Sequence, residues 1–243
     1  MSTAQDIISY LEELRRRIFI CVGAWLVASI PCGIWWKQIV DFLLLYPLRL
    51  TSPAPQIIYT GPTDVVVLSL HIAMFGGLIV ASPVILHQVW SFVSSALYKR
   101  EKIISFAALV ASIVMFVAGA STCYFIAPYI LEFFVKYSGG RMTAMFRADQ
   151  YLAFMMQLTL AFGLVFEMPV VSFVLAGTGI LSPSFLLRKI RYAIVVIFIV
   201  AAVITPPDVL SQCAMAVPLI ALYGISILVA WLAYPRSKND QRR

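Results

Sequence analysis

Acidic side chains are the residues of this sequence with the clearest capacity for chemistry, and two of them lie among basic residues. Glu13 precedes a run of three arginines, and Glu101 is flanked by lysines and arginine. A carboxylate can hold a guanidinium group with two parallel hydrogen bonds, so two carboxylates close in space could hold two consecutive arginines. Local pairing is the alternative, because Glu13 stands four residues from Arg17, the spacing of neighbours on one helix face.

A third acidic residue, Glu167, lies inside a long apolar run, in the segment F-G-L-V-F-E-M-P. A carboxyl group near the middle of a bilayer costs roughly 2.5 kcal/mol or more, so it is retained there for a reason. One interpretation is a polar site for a partner helix or for proton coupling. The other is a side chain that bonds inside the fold, to carbonyl groups that Pro169 leaves free.

Three further polar residues lie around a Pro-Pro break near the end of the chain. Thr205 and Gln212 would seek hydrogen-bond partners across helices if they lie in lipid, or else belong to an external turn. Asp208 follows the two prolines and can cap the next helix by accepting its first free N–H groups. The sequence shows no nucleophile motif, metal-ligand pair, phosphate loop or nucleotide fingerprint. We therefore expect no enzymatic activity, no metal and no cofactor.

The composition places these residues in a membrane protein. Hydrophobic residues make up 62% of the 243 positions and charged residues only 12%, against roughly half and a quarter in soluble domains. The apolar runs are continuous, which excludes the alternating strands of a membrane barrel and leaves helices. The net charge of +7 comes from basic residues that flank apolar runs, which indicates membrane orientation and not nucleic-acid binding.

We expect an all-α, polytopic integral-membrane domain that covers residues 1–243, with external loops at 37–63 and 128–150. Thirteen of the 18 lysines and arginines fall on one side of the spans, so that side and both termini are predicted to be cytoplasmic. The fifth and sixth spans are predicted to be short. The amphipathic start is 1–17, the spans are at about 18–36, 64–92, 104–126, 151–175, 193–204 and 209–234, and the tail is 235–243.

Five segments of the sequence, in this order and across nearly the whole chain, resemble the TatC family of twin-arginine translocase subunits. Any one of them would be weak evidence, whereas five on a frame of six spans are specific. They are L-E-E-L-R-R-R at 11–17, P-V-I-L-H-Q-V-W-S-F at 83–92, A-L-Y-K-R-E at 96–101, F-G-L-V-F-E-M-P at 162–169 and T-P-P-D-V-L-S-Q at 205–212.

The resemblance implies a protein of the bacterial inner membrane that binds the twin-arginine signal peptides of folded cargo at the cytoplasmic face. It also implies single-span partners of the TatA and TatB type, self-association, transport driven by the proton-motive force, and a curved, cupped helical wall. The sequence leaves two rivals open. One is a secondary transporter that uses Glu167 for proton coupling, although no internal repeat is visible; the other is a passive scaffold for partner helices.

The resemblance also implies a role for particular residues. Glu13, Glu101 and Arg17 would form the signal-peptide site together with Phe92, which would contact residues beside the signal arginines. Other roles implied are an intramembrane polar site at Glu167, docking of partner helices at Thr205 and Gln212, and an important external loop at Pro47 and Asp208. Two positions depart from the family pattern, namely Tyr10, where many members have His, and Ser95, where Pro is common.

Overall fold

The computed structural model describes residues 2–49, 51, 56–96, 102–137, 145–204 and 209–234 of the chain. Most of these residues are helical. The helices are α1 (Ser2–Ile34), α2 (Trp36–Val40), α3 (Tyr46–Arg49), α4 (Asp64–Ala96), α5 (Lys102–Tyr137), α6 (Ala148–Phe166), α7 (Met168–Gly177), α8 (Pro183–Arg188), α9 (Ile190–Ile204) and α10 (Val209–Ala233), with a π-helical turn at Asp41–Leu45 and strands β1 (Gln56–Ile58) and β2 (Met145–Arg147).

Within the described part of the chain, five stretches are long and apolar enough to cross a membrane: Leu11–Ile34, Asp64–Val93, Phe106–Tyr137, Ala148–Gly177 and Met215–Ala233. α9 is apolar but has only 15 residues, which gives a length of about 22 Å against a hydrocarbon core of about 30 Å. α10 has 25 residues, or about 38 Å. The candidate span within α10, Met215–Ala233, has 19 residues and is the shortest of the five found in the described part of the chain.

Two prolines affect their helices in opposite ways. α5 continues through Pro128 to Tyr137, so the prediction of an external loop from residue 128 is wrong over ten residues. The buried neighbours Ala127 and Ile130 pack into the core there, and this packing outweighs the lost hydrogen bond. In contrast, the helix is interrupted at Glu167, where α6 ends and α7 begins with Pro169 at its N-terminus.

α1 and α4 pack together at unusually close range because their contact surfaces carry small residues. A Cβ atom added to Gly77 would lie 2.7 Å from the Ser29 Cα atom, and one added to Gly76 would lie 3.1 Å from the Cys32 Sγ atom. The glycine pair thus permits the close helix approach that such pairs favour in membranes. The Trp25 indole N–H reinforces the contact by donating to the Met74 carbonyl at 2.7 Å.

The largest cluster of buried side chains is centred on α6. Leu152, Met155, Leu158 and Phe162 have no exposed surface and follow helical spacing, so they form one face of the helix. They pack against buried side chains from α4, α5 and α10, with α9 contributing Ala201. α6 therefore forms the centre of this cluster.

The segment between α1 and α4 packs back onto the helices through short elements. Pro47 is fully buried there. The Phe42 ring stacks on Tyr124 of α5 with centroids 5.3 Å apart, and the Tyr124 hydroxyl donates to the Phe42 carbonyl at 2.9 Å. β1 and β2 pair in parallel with Ile57 opposite Phe146, a pairing that the sequence analysis did not anticipate.

We expect Gly77→Ala to destabilise the protein, because the added methyl group would overlap the Ser29 backbone and overpacking costs about 1–3 kcal/mol. Thermal unfolding of the purified protein in neutral detergent measures the effect. Gly23→Ala in α1 is the matched control, since a Cβ atom there meets nothing within 4 Å. Equal melting temperatures for both variants would show that the close approach does not limit stability.

Candidate functional site

At the N-terminal end of the molecule, a carboxylate and a guanidinium group form a pair that links α1 to α4. Arg17 donates from Nε to the Glu13 Oε1 atom at 2.9 Å, and its Nη2 atom contacts the same oxygen. The Arg17 Nη1 atom reaches both the backbone and the side-chain oxygen of Gln88, at 3.3 Å each. The local pairing left open by the sequence is confirmed, although the Glu13 side chain stays 32% exposed.

Phe92 lies on α4 one turn beyond Gln88 and is half-buried, so the two residues share a helix face. The fold thereby brings Glu13, Arg17 and the Phe92 face of α4 to the same end of the molecule. Gln88 is the connecting residue that sequence reasoning missed. Its signal was an amide within an apolar helix, which seeks a polar partner on a neighbouring helix. Glu101 lies outside the described residues.

A second polar network surrounds Glu167 and connects three helical elements. The Trp90 indole N–H of α4 donates to the Ser112 hydroxyl of α5 at 2.7 Å. Ser112 is completely buried and its hydroxyl is hydrogen-bonded to the Glu167 carboxyl group. The polar partner of Glu167 is thus a side chain on α5, whereas the sequence suggested carbonyls that Pro169 leaves free. Its Oε1 atom is buried and has no hydrogen-bond partner among the described residues.

Sequence reasoning also missed Trp90 and Ser112, which lie 22 residues apart. A buried indole N–H needs an acceptor, so Trp90 could have been identified as a residue in search of a partner. The identity of that partner depends on how α4 and α5 cross, which the sequence does not give.

The polar residues near the last two helices are only partly described. The Gln212 side-chain N–H of α10 donates to the Phe198 carbonyl of α9 at 3.0 Å, so this amide joins the two helices of the final hairpin. Thr205 and Asp208 fall outside the described residues. Within the described ranges, no group of three or more His, Cys, Asp or Glu side chains could hold a metal ion.

These features define a multi-pass helical membrane protein with a carboxylate–guanidinium pair at one end and a buried polar network between its helices. The family model for Sec-independent protein translocase proteins (TatC) matches residues 9–218. The chain belongs to the TatC family. It is therefore a component of the twin-arginine translocase, a protein-transport system of the bacterial inner membrane.

Individual relatives agree with this assignment. The chain is 37% identical to a TatC protein of Helicobacter pylori (strain J99), covering 98% of this chain and 93% of that protein. It is 36% identical to the TatC protein of Aquifex aeolicus, covering 96% and 98%. A crystal structure of the twin arginine translocase receptor TatC superposes with a TM-score of 0.81 at 36% identity, over 92% of this chain and 99% of the other. Membership of the TatC family favours a translocase component over a secondary transporter, the first of the two alternatives left open by the sequence.

We expect Ser112→Ala to destabilise the protein by about 1–3 kcal/mol, because it leaves the buried Trp90 N–H without its acceptor and removes a partner of Glu167. Thermal unfolding in neutral detergent provides the measurement. Ser226→Ala is the matched control, since Ser226 is equally buried but its hydroxyl bonds only to the Leu222 carbonyl of its own helix. If the two variants unfold at the same temperature, the network contributes nothing beyond packing.

Proposed function

We propose that this chain is the receptor subunit of the translocase, which binds the twin-arginine signal peptides of folded cargo at the cytoplasmic face. The observation that carries the proposal is the Glu13 carboxylate, which already accepts hydrogen bonds from a guanidinium group and remains partly exposed. A related structure is described as a translocase receptor. The site's chemistry therefore matches the arginine side chains that distinguish these signals.

The recognition step follows from the chemistry of the pair. A signal arginine would bind the accessible part of the Glu13 carboxylate, and Glu101 would hold the second arginine of the signal. Arg17, bonded to both Glu13 and Gln88, fixes the carboxylate against α4. Phe92, on the same face as Gln88, offers an aromatic surface to residues beside the two arginines. Two carboxylates in fixed positions would prefer two guanidinium groups to two ammonium groups. An ammonium group cannot form the pair of parallel hydrogen bonds that a guanidinium forms with a carboxylate.

We further propose six membrane spans, with α9 as the short fifth span and both termini in the cytoplasm. The described stretches supply five spans by length and composition, and α9 adds an apolar helix between α8 and α10. An even number of spans keeps both ends on the basic side of the membrane, as the positive-inside rule requires. The short α9 would thin the bilayer locally or need a neighbouring helix to cover it.

Assembly with single-span partners of the TatA and TatB type completes the proposal, with transport driven by the proton-motive force. Gln212 is half-buried beside the short α9, where a polar side chain could also meet a partner helix, and Thr205 would extend this patch. Glu167 would line the concave face of a cupped wall. Pro47, which is buried in the segment between α1 and α4, and Asp208 would shape the external surface. Copies of the chain would associate in the receptor complex.

Glu13→Gln is expected to weaken binding of a twin-arginine signal peptide about 10- to 100-fold, since a hydrogen bond to a charged group contributes about 1.5–3 kcal/mol. Fluorescence anisotropy of a labelled peptide with the full-length protein in neutral detergent measures the affinity. Glu12→Gln, one residue away and exposed, is the control and should bind normally. Normal binding by both Glu13→Gln and Glu101→Gln would refute the receptor assignment.

The proposed topology predicts which side of the membrane each loop occupies. In a variant without its free cysteines, Tyr59→Cys should react with a membrane-impermeant maleimide in intact cells. Tyr59 is exposed and lies in the segment between α1 and α4, which the proposed topology places outside the cell. Ser184→Cys, which precedes α9 on the predicted inner side, should react only after lysis. The reverse pattern would show that the orientation is inverted, and labelling of both in intact cells would show that the span count is wrong.

A further inference from the structure

A compact basic turn separates α7 from α9. We define it as residues 182–192, which include α8 and the first three residues of α9. It carries three exposed cations, Arg188, Lys189 and Arg191, between the apolar helices α7 and α9. Four of its apolar side chains are also exposed, namely Phe185, Leu187, Ile190 and Tyr192. Basic and apolar side chains exposed together are typical of a segment that lies in the headgroup region of a bilayer.

The basic turn is held in place by specific bonds, so its cations are not on a loose loop. The Ser182 hydroxyl caps α8 by accepting from the Phe185 N–H at 3.2 Å. At the other end, the Leu186 carbonyl accepts from the Lys189 N–H at 3.2 Å and also from the Tyr223 hydroxyl of α10 at 2.9 Å. The Tyr223 bond therefore ties α8 to α10, while the Ser182 cap defines where α8 begins.

Among the described residues, the three cations have no acidic partner. Residues 168–204 contain no Asp or Glu, and no ion pair in the described part of the chain involves the basic turn. Arg188 donates to the Ser184 carbonyl at 3.3 Å, and the Lys189 Nζ atom lies 4.9 Å from the centroid of the Tyr192 ring. Neither contact neutralises the charge, so within the described part of the chain the turn presents a positive surface without acidic partners.

We propose that the basic turn is a binding site for anionic phospholipids, whose headgroup phosphates contact the three cations while the acyl chains lie along the neighbouring exposed apolar side chains. Charge complementarity selects this occupant, because the turn combines three positive groups with apolar surface at the membrane boundary. The Tyr192 ring, exposed beside Lys189, has the amphipathic character of residues enriched at that boundary. The site lies on different helices from the Glu13–Arg17 pair and does not depend on the proposed receptor function.

The test uses the full-length protein in neutral detergent, titrated with phosphatidylglycerol or with phosphatidylcholine while the melting temperature is followed. Bound lipid stabilises the folded protein, so phosphatidylglycerol should raise the melting temperature of the wild type more than phosphatidylcholine does. The variant R188Q/K189Q/R191Q should lose most of this difference, with roughly fivefold weaker binding for each cation removed. If this triple variant does not fold, the single variants R188Q, K189Q and R191Q supply the same comparison.

The control K37Q/K136Q/R147Q removes the same charge from positions outside the basic turn and should keep the lipid preference. Tyr223→Phe retains every charge but releases the Leu186 carbonyl, and should weaken the preference. The proposal is overturned if the wild type does not prefer phosphatidylglycerol, if the triple variant at the turn keeps the preference, or if the control loses it equally. Stabilisation by inorganic phosphate to the same extent would assign the site to a free anion.

Discussion

Polar groups that enter a bilayer must find their hydrogen-bond partners within the protein, and this constraint governs the contacts between the helices. Trp25 reaches a carbonyl of α4, Gln212 a carbonyl of α9, and Tyr223 a carbonyl of α8. Each of these bonds joins two different helices, over 14 to 49 residues of chain. Because lipid offers no competing water, such bonds specify which helices are neighbours where apolar surface alone could not.

The same constraint separates structural polar groups from those available for binding. Ser112 is fully buried and bonded on both sides, so its network holds α4, α5 and the α6–α7 break together. Glu13 also has a partner, but it lies at the end of the molecule and keeps part of its surface exposed. A carboxylate at such a position can exchange one guanidinium group for another, which a buried group cannot do without breaking the core.

Much of this architecture can be read from local sequence, and the remainder depends on tertiary packing. Long apolar runs predict the helices, Pro169 predicts the break beside Glu167, and the four-residue spacing predicts the Glu13–Arg17 pair. The continuation of α5 through Pro128 could not be predicted, because buried neighbours decide it. The pairing of β1 with β2 joins three-residue segments too short to give a pattern. Gln88 lies 71 residues from Arg17, so only the folded chain shows their contact.

Glu167 is the buried group whose presence the stability of the core explains least well. A hydrophobic side chain could fill this position without the cost of burying a carboxyl group. The chain instead retains a carboxyl at a helix break, gives it the Ser112 hydroxyl as partner, and leaves its Oε1 atom buried without a partner among the described residues. An incompletely satisfied group is a poor way to stabilise a core. We therefore propose that Glu167 is retained for a role in transport, in which its second carboxyl oxygen gains a hydrogen-bond donor.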